Sequence, residues 1–394
     1  MSDSATEGRQ RSTMLPRGWP ATARDAMPPQ PPLVSVVTPV HNGEDHLREC
    51  IESVLRQTYD RWDYTIVNNC STDRTLDIAR EYAARDPRIR VHNNETFVRV
   101  VASYNNAFRQ ISADSKYCKA VAADDWLFPE CLEQMTRVAE QHPSVAIVGA
   151  YGLLGAKVAW DGLQYPSTVV CGRALCRLWL LGGPYVFGAP TALLFRSDIV
   201  RSRYSFYNES NLESDIESCI EFLEHHDFGF VHQVLTYSRV RPGSLTSMAQ
   251  SLNSNLAHNL YFLTNYGPKY LDERELEHEV RKRLRTYYSY LGEQIYKRRG
   301  KKFWTFHREK LAAAGHPLSV PRLVLSAMSY ALDLVLNPKR TAAGVIARAQ
   351  RTSAQWLAHR RQSIADAGGG GGKGRAVPVQ EAGTPHPRRA VAER

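Results

Sequence analysis

Two adjacent carboxylates, Asp124-Asp125, follow the run Tyr117-Cys118-Lys119-Ala120-Val121-Ala122-Ala123 and precede Trp126-Leu127-Phe128-Pro129-Glu130. The run reads as a short strand and the acids as a turn. Pro129 then opens a helix, in whose first turn a missing N–H costs nothing. Acids at the carboxyl end of a buried strand lie where open α/β sheets take their ligands. Two carboxylates this close repel unless a proton or cation lies between them. A hard divalent ion, Mg2+ or Mn2+, that also bridges substrate phosphates meets that need. The plainer alternative is that Asp124 caps the following helix and Asp125 is solvated.

Other elements must position such a turn. Leu33-Val34-Ser35-Val36-Val37-Thr38 predicts a buried parallel strand, broken by Pro39-Val40-His41-Asn42-Gly43. Leu47, Cys50, Ile51, Val54 and Leu55 then recur at helical spacing, with Asn42 as the expected cap. Tyr64–Val67 and Ile89–Val91 predict two more strands. Leu76, Ala79, Tyr82 and Ala83 mark one intervening helix, and Val100 to Ile111 another, with Tyr104 and Phe108 facing inward. A helix is expected over Pro129–Gln141 and a strand over Val145–Val148. Such alternation predicts an α/β fold, a parallel sheet covered on both faces. The turns after the first, second and fourth strands should open on one edge.

At 394 residues the chain is long for one domain, and its 43% apolar and 23% charged content is that of a globular protein. The net charge of +10 is uneven: residues 281–394 hold 23 Lys+Arg against 6 Asp+Glu, a net +17. No nucleic-acid motif accompanies that charge, so an anionic membrane surface is the expected basic-region partner and nucleic acid is not. Seven scattered cysteines without a CxxC pair suit a reducing cytoplasm and argue against a disulfide framework or a zinc site. No apolar run is long enough to span a bilayer, and residues 1–32, ending in Pro28-Pro29-Gln30-Pro31-Pro32, read as a disordered leader without a signal peptide. Residues 33–247 form the expected catalytic domain, 248–366 a helical basic extension and 367–394 a disordered tail from Gly368 onward. In the extension, Leu325, Met328, Leu332, Val335 and Leu336 share one helical face, with Lys339-Arg340 just after. That face either packs on the catalytic domain or lies in a membrane interface, peripheral to the cytoplasmic side.

Val34-Ser35-Val36-Val37-Thr38-Pro39-Val40-His41-Asn42, Ser53-Val54-Leu55-Arg56-Gln57-Thr58-Tyr59 and Asn68-Asn69-Cys70-Ser71-Thr72-Asp73, in that order, resemble the opening of family 2 glycosyltransferases. The resemblance spans residues 33–247. It implies a GT-A-type nucleotide-binding, mainly parallel sheet flanked by helices, and inverting, metal-dependent sugar transfer. The donor would be a nucleotide-sugar, UDP- or dTDP-linked, and the acceptor a glycan or lipid-linked hydroxyl in cell-surface polysaccharide or glycolipid synthesis. Two departures stand out. Asn68-Asn69 replaces an Asp pair, and Ala122 takes the first acidic place of Asp-x-Asp-Asp, leaving Asp124 and Asp125.

Residue by residue, the resemblance implies that Pro39, His41, Asn42, Asn69 and Asp124 frame the nucleotide. His41 stands where an aromatic often stacks on the base, and Asn69 where an Asp often reads it. An amide there both accepts and donates, which predicts relaxed base selection. Asp124 and Asp125 would hold the metal. Asp215, within Asn211-Leu212-Glu213-Ser214-Asp215-Ile216-Glu217, matches the catalytic base. Glu213 is its rival, because Ser214 breaks the usual Glu-Asp pair, and Asp215 also suits a helix dipole. Arg239 and Arg241 in Tyr237-Ser238-Arg239-Val240-Arg241-Pro242-Gly243-Ser244 would close on the diphosphate, or be plain surface charge. Gly188 and Thr191 would border the acceptor, or belong to an ordinary buried strand and turn. The competing functions are a catalytically altered nucleotide-sugar or glycan binder and a nucleotidyltransferase. The latter lacks its Gly-rich phosphate loop, since Asn42-Gly43-Glu44 follows the first strand.

Overall fold

The computed structural model describes residues 30–241 and 251–337. In β1 (Val34–Val40) alternate side chains face opposite sides of the sheet. Val34, Val36 and Val40 share a core with Leu47, Ile51 and Val54 of α1 (Leu47–Leu55), Ile78 and Tyr82 of α2 (Thr75–Arg85), and Leu132 and Met135 of α4 (Cys131–Gln141). Val37 faces the other core, with Phe108 of α3 (Val100–Phe108), Cys176 of α5 (Gly172–Leu180), Ile199 of α6 (Ser197–Arg201) and Cys219 of α7 (Ser214–Phe222). Both faces of the sheet are therefore covered.

The remaining strands are β2 (Trp62–Asn68), β3 (Ile89–Asn93), β4 (Tyr117–Ala120), β5 (Trp126–Leu127), β6 (Val145–Leu154), β7 (Lys157–Ala159), β8 (Val169–Val170), β9 (Leu194–Arg196) and β10 (Asp227–Ser238). They form one ten-stranded sheet in the order β3-β2-β1-β4-β9-β6-β10-β5, with β7 on β6 and β8 on β10. β3, β2, β1 and β4 run parallel, as do β6 and β10. The sheet is mostly parallel, but not wholly so as the alternation predicts. β9 runs antiparallel to both β4 and β6, and β5 antiparallel to β10. Three- and two-residue strands carry too few side chains to show a period, and turns fix their direction.

Local departures have similar causes. The helix expected from Pro129 starts at Cys131, with Glu130 at its N-cap. The preceding residues are drawn elsewhere: the Phe128 N–H donates to the Leu235 carbonyl, and Pro129 accepts from the Thr58 N–H. Trp126 instead joins β5 and stacks on Tyr237 with ring centroids 3.6 Å apart. All seven cysteines are free, five of them buried.

Beyond the sheet come α8 (Asn255–Tyr270), α9 (Glu273–Tyr296), α10 (Lys301–Ala313) and α11 (Val320–Leu336). Phe262, Leu263 and Tyr266 of α8 belong to the same core as α5 and α7. Asp272 and Glu275 close a reciprocal capping box at the start of α9. A separate core joins Tyr287 and Leu291 of α9 to Phe303 and Leu311 of α10. Among the described residues no helix is long and apolar enough to cross a membrane. The expected leader through Pro29, the segment Pro242-Gly243-Ser244, Lys339-Arg340 and the tail from Gly368 lie outside the described residues.

Candidate functional site

Asp125 is almost fully buried. Its Oδ2 accepts from the hydroxyls of Thr191 (2.7 Å) and Ser238 (3.0 Å), and its Oδ1 from the Arg239 N–H (3.0 Å). The Thr191 hydroxyl in turn accepts from the Ala122 N–H at 3.1 Å. Burial pushes the Asp125 carboxyl up to about 6; the Thr191 bond opposes the rise and Asp124 adds to it. Asp125 is thus a buried pin between the turn after β4, the segment before β9 and the end of β10. It is neither solvated nor turned toward the edge.

Several expected ligand-binding groups serve that pin. Thr191 is fully buried, and its hydroxyl positions Asp125. The Arg239 guanidinium is bonded within the chain, Nε to the Asp124 carbonyl (3.2 Å) and Nη2 to Glu49 (2.6 Å). Gly188 has a φ of +76°, and a Cβ there would stand 2.6 Å from that of Ala192. The backbone turn itself demands glycine.

Asp124 and Arg241 behave differently. The Asp124 carboxylate is partly exposed and pairs at 2.7 Å with Arg241, whose side chain is about half exposed. Asp124 therefore caps no helix. Among the described residues no group of three or more His, Cys, Asp or Glu side chains is arranged to hold a metal ion. With Asp125 engaged inward, the donor set offers one outward carboxylate. That fits a Mg2+ or Mn2+ ion whose remaining ligands are phosphate and water.

At the ends of β1 and β2 the loops are laced together. Asn42, at a φ of +49°, accepts the Thr72 N–H at 2.8 Å and donates its own N–H to Ser71 at 3.0 Å. It does not cap α1, which starts at Leu47 behind His46. Pro39 lies within β1, paired with Val67. His41 donates from Nδ1 to the Asn69 carbonyl at 2.8 Å, and its exposed ring meets Phe97 edge-on at 4.8 Å. Phe97 was not singled out in the sequence; an exposed Phe in the polar turn Asn93-Asn94-Glu95-Thr96-Phe97 was the signal.

Asn69 does not present its amide to the edge. Nδ2 donates to the Val98 carbonyl (2.8 Å), while Oδ1 accepts from the Val98 N–H (3.1 Å) and Asn94 Nδ2 (3.0 Å). Asn69→Asp turns a carboxylate oxygen toward the Val98 carbonyl in a buried position. The expected result is a loss of about 1–3 kcal/mol, read in chemical denaturation. Unchanged stability would mean that the amide is not held this way.

Asp215 lies in the first turn of α7, accepting the Ile216 N–H at 2.9 Å. Burial, and then the like charge of Glu213, push its carboxyl up to about 7. Glu213, at the N-cap, pairs at 2.9 Å with His258 of α8. Two residues after Asp215, the buried Glu217 accepts from Asn211 (2.9 Å), Tyr261 (3.0 Å) and Tyr266 (2.6 Å). These bonds fix α7 to α8. The hydroxyl of Tyr104 is pushed up by burial and then by Asp125, Asp124 and Asp215 together. An adjacent pair of acids and a third some ninety residues on, at Asp215, therefore bear on one phenol, which the sequence placed only in the core. Two surface hollows, lined by Leu181, Lys282 and Arg283 and by Leu181, Arg274 and His278 among others, share no residue with this edge.

Residues 35–198 match the family described as Glycosyl transferase family 2. EpsE of Bacillus subtilis (strain 168), a glycosyltransferase by name, is 33% identical over 153 residues, which cover 37% of this chain and 54% of EpsE. EpsH of the same strain, also so named, is 27% identical over 271 residues, or 65% of this chain and 74% of EpsH. TuaG of that strain, named for teichuronic acid biosynthesis, is 33% identical over 124 residues, or 31% of this chain and 48% of TuaG. The chain thus spans about half the length of EpsE and TuaG. Among solved structures, S. aureus TarS 1-349 in complex with UDP is similar in fold, with a TM-score of 0.51 and 16% identity over 71% of this chain and 79% of that one.

Proposed function

We propose that the chain, whose residues 35–198 match glycosyl transferase family 2, moves a sugar from a nucleoside-diphosphate sugar to an acceptor hydroxyl, with inversion. What supports this reading is the partly exposed Asp124 carboxylate paired with Arg241 after β4, together with Asp215 in the first turn of α7, whose charge acts on Tyr104 as those of Asp124 and Asp125 do. One edge then offers both an anion-handling carboxylate and a base. Asp215, with a carboxyl pushed up to about 7, is poised to take the acceptor proton near neutral pH. A single base, with no second carboxylate acting as nucleophile, gives one displacement and inversion.

Asp124 is the residue that would hold the divalent ion, which when bound supplies Lewis-acid neutralisation of the departing diphosphate. Asp125 keeps Asp124 in place through the backbone it pins. Arg241, already paired with Asp124, supplies a second cation to the phosphates. His41 and Phe97 flank the base in place of Asn69. A UDP- or dTDP-sugar is the proposed donor. A growing glycan or lipid-linked saccharide in cell-surface polysaccharide synthesis is the proposed acceptor, in keeping with the name of TuaG. The free cysteines support work on the cytoplasmic side.

A donor screen with the purified chain and Mn2+, read as nucleoside diphosphate release, tests the reading. Release from a UDP- or dTDP-sugar is expected. Tight nucleotide binding without release from any donor would move the chain to the non-catalytic binders. The same assay separates the two candidate bases. Glu213→Gln removes the like charge beside Asp215, so the acid limb of kcat/KM should move below about 7, by roughly half a unit to one unit, with turnover retained. Collapse of turnover at every pH would make Glu213 the base.

A further inference from the structure

Leu325, Met328, Leu332, Val335 and Leu336 of α11 are 59–75% exposed. The helix is held from its other side. A Cβ on Gly292 of α9 would stand 2.7 Å from the Ser326 backbone, so the two helices approach backbone to backbone there. Tyr296 donates to the Ala327 carbonyl at 3.0 Å and packs on Tyr330. Ala327 is the one buried residue recorded on α11. This seating turns the five apolar side chains outward rather than into the protein.

Immediately after Tyr296 comes Lys297-Arg298-Arg299-Gly300-Lys301-Lys302. Among the described residues only Lys297 of this run pairs with a carboxylate, Glu293 at 2.7 Å. Asp333 is the single acid on α11, bonded to Asn337 at 2.6 Å. Past the helix, residues 338–365 hold six Lys+Arg and no Asp or Glu. An exposed apolar stripe on one helix, beside a run of cations of which, among the described residues, only Lys297 is paired with a carboxylate, matches the layers of a bilayer surface. A second protein copy would bring the same cations against each other.

We propose that α11 is a membrane-docking surface, which lays Leu325, Met328, Leu332, Val335 and Leu336 into the interface of an anionic phospholipid bilayer while the Lys297–Lys302 run meets the headgroups. The proposal stands apart from sugar transfer, because binding is read without donor or acceptor.

Co-sedimentation of the full chain with phosphatidylethanolamine/phosphatidylglycerol vesicles tests it, with phosphatidylcholine vesicles as the neutral control. The chain should pellet with the anionic vesicles at low salt, remain in solution with the neutral ones, and be released as salt screens the headgroups. Leu325→Gln/Met328→Gln/Leu332→Gln changes only exposed positions and should lower binding by at least about ten-fold, with circular dichroism unchanged. Lys301→Glu/Lys302→Glu should do the same through charge. Binding that survives the triple substitution would overturn the proposal, as would no binding to anionic vesicles. A dimer in sedimentation velocity that the triple substitution dissociates would give the face to a second copy and equally overturn it.

Discussion

Asp215→Asn is expected to lower turnover by about 10²–10⁴ while leaving nucleoside diphosphate affinity within about two-fold. The amide keeps the shape of the side chain and its bond from the Ile216 N–H but cannot take a proton. In the wild type the rate should rise with pH up to about 7 and level off above it, because only the ionised base works. The stability consequence has the opposite sense. A carboxyl raised from about 4 in the unfolded chain to about 7 in the folded one binds its proton more tightly when folded. Folding stability therefore falls as pH rises from about 4 to about 7 and stays low beyond. Asp215→Asn abolishes that loss, so the variant should exceed the wild type by about 4 kcal/mol at pH 8, with the two converging near pH 4. Urea melts at both pH values check the sign, and nucleotide release checks the rate. A variant that turns over normally would remove Asp215 from the chemistry.

Asp124→Asn and Asp125→Asn should part company, although they are neighbours in sequence. Among the described residues the Asp124 carboxylate pairs with a half-exposed arginine, and such pairs contribute about 0–1 kcal/mol. Its loss should leave the melting temperature nearly unchanged. UDP binding in Mn2+ should weaken by about two orders of magnitude, since a charge-assisted ligand worth about 2–3 kcal/mol is gone. In chelator, variant and wild type should bind UDP alike, which calorimetry reads without any turnover. Asp125→Asn instead puts an NH2 against donors on Thr191, Ser238 or the Arg239 backbone. The expected cost is about 2–4 kcal/mol of stability, measured by denaturation, with the metal dependence of binding lost only as a consequence. Equal behaviour of the two variants would mean that both acids face the ligand.

The backbone plan was legible because it depends on local patterns. β-branched runs at 34–38 and 64–67 find their partners in a parallel sheet, and 3.6-residue spacing at Leu47–Leu55 and Ser214–Phe222 finds a face to bury. The ordered motifs, read together, gave the family of residues 35–198. They also brought Asp124, Asp215 and His41 to notice as chemically capable residues.

What the tertiary structure alone decided is which of these side chains are free to act. Asp124 and Asp125 look interchangeable in sequence, yet Thr191, Ser238 and Arg239, each distant along the chain, converge on Asp125 and turn it inward. Asn69 is claimed by Val98, and Arg239 by Glu49, for the same reason: hydrogen-bond partners are settled by proximity in space. The charge environment of Asp215 likewise depends on the depth of α7 and on Glu213, whose partner His258 comes from a helix that sequence reading set in a separate extension. The five apolar residues of α11 carry one periodicity whether they face a core or solvent. Only the close approach of its other side at Gly292 left them outward. Periodicity fixes which residues share a face; the packing of distant segments fixes what that face meets.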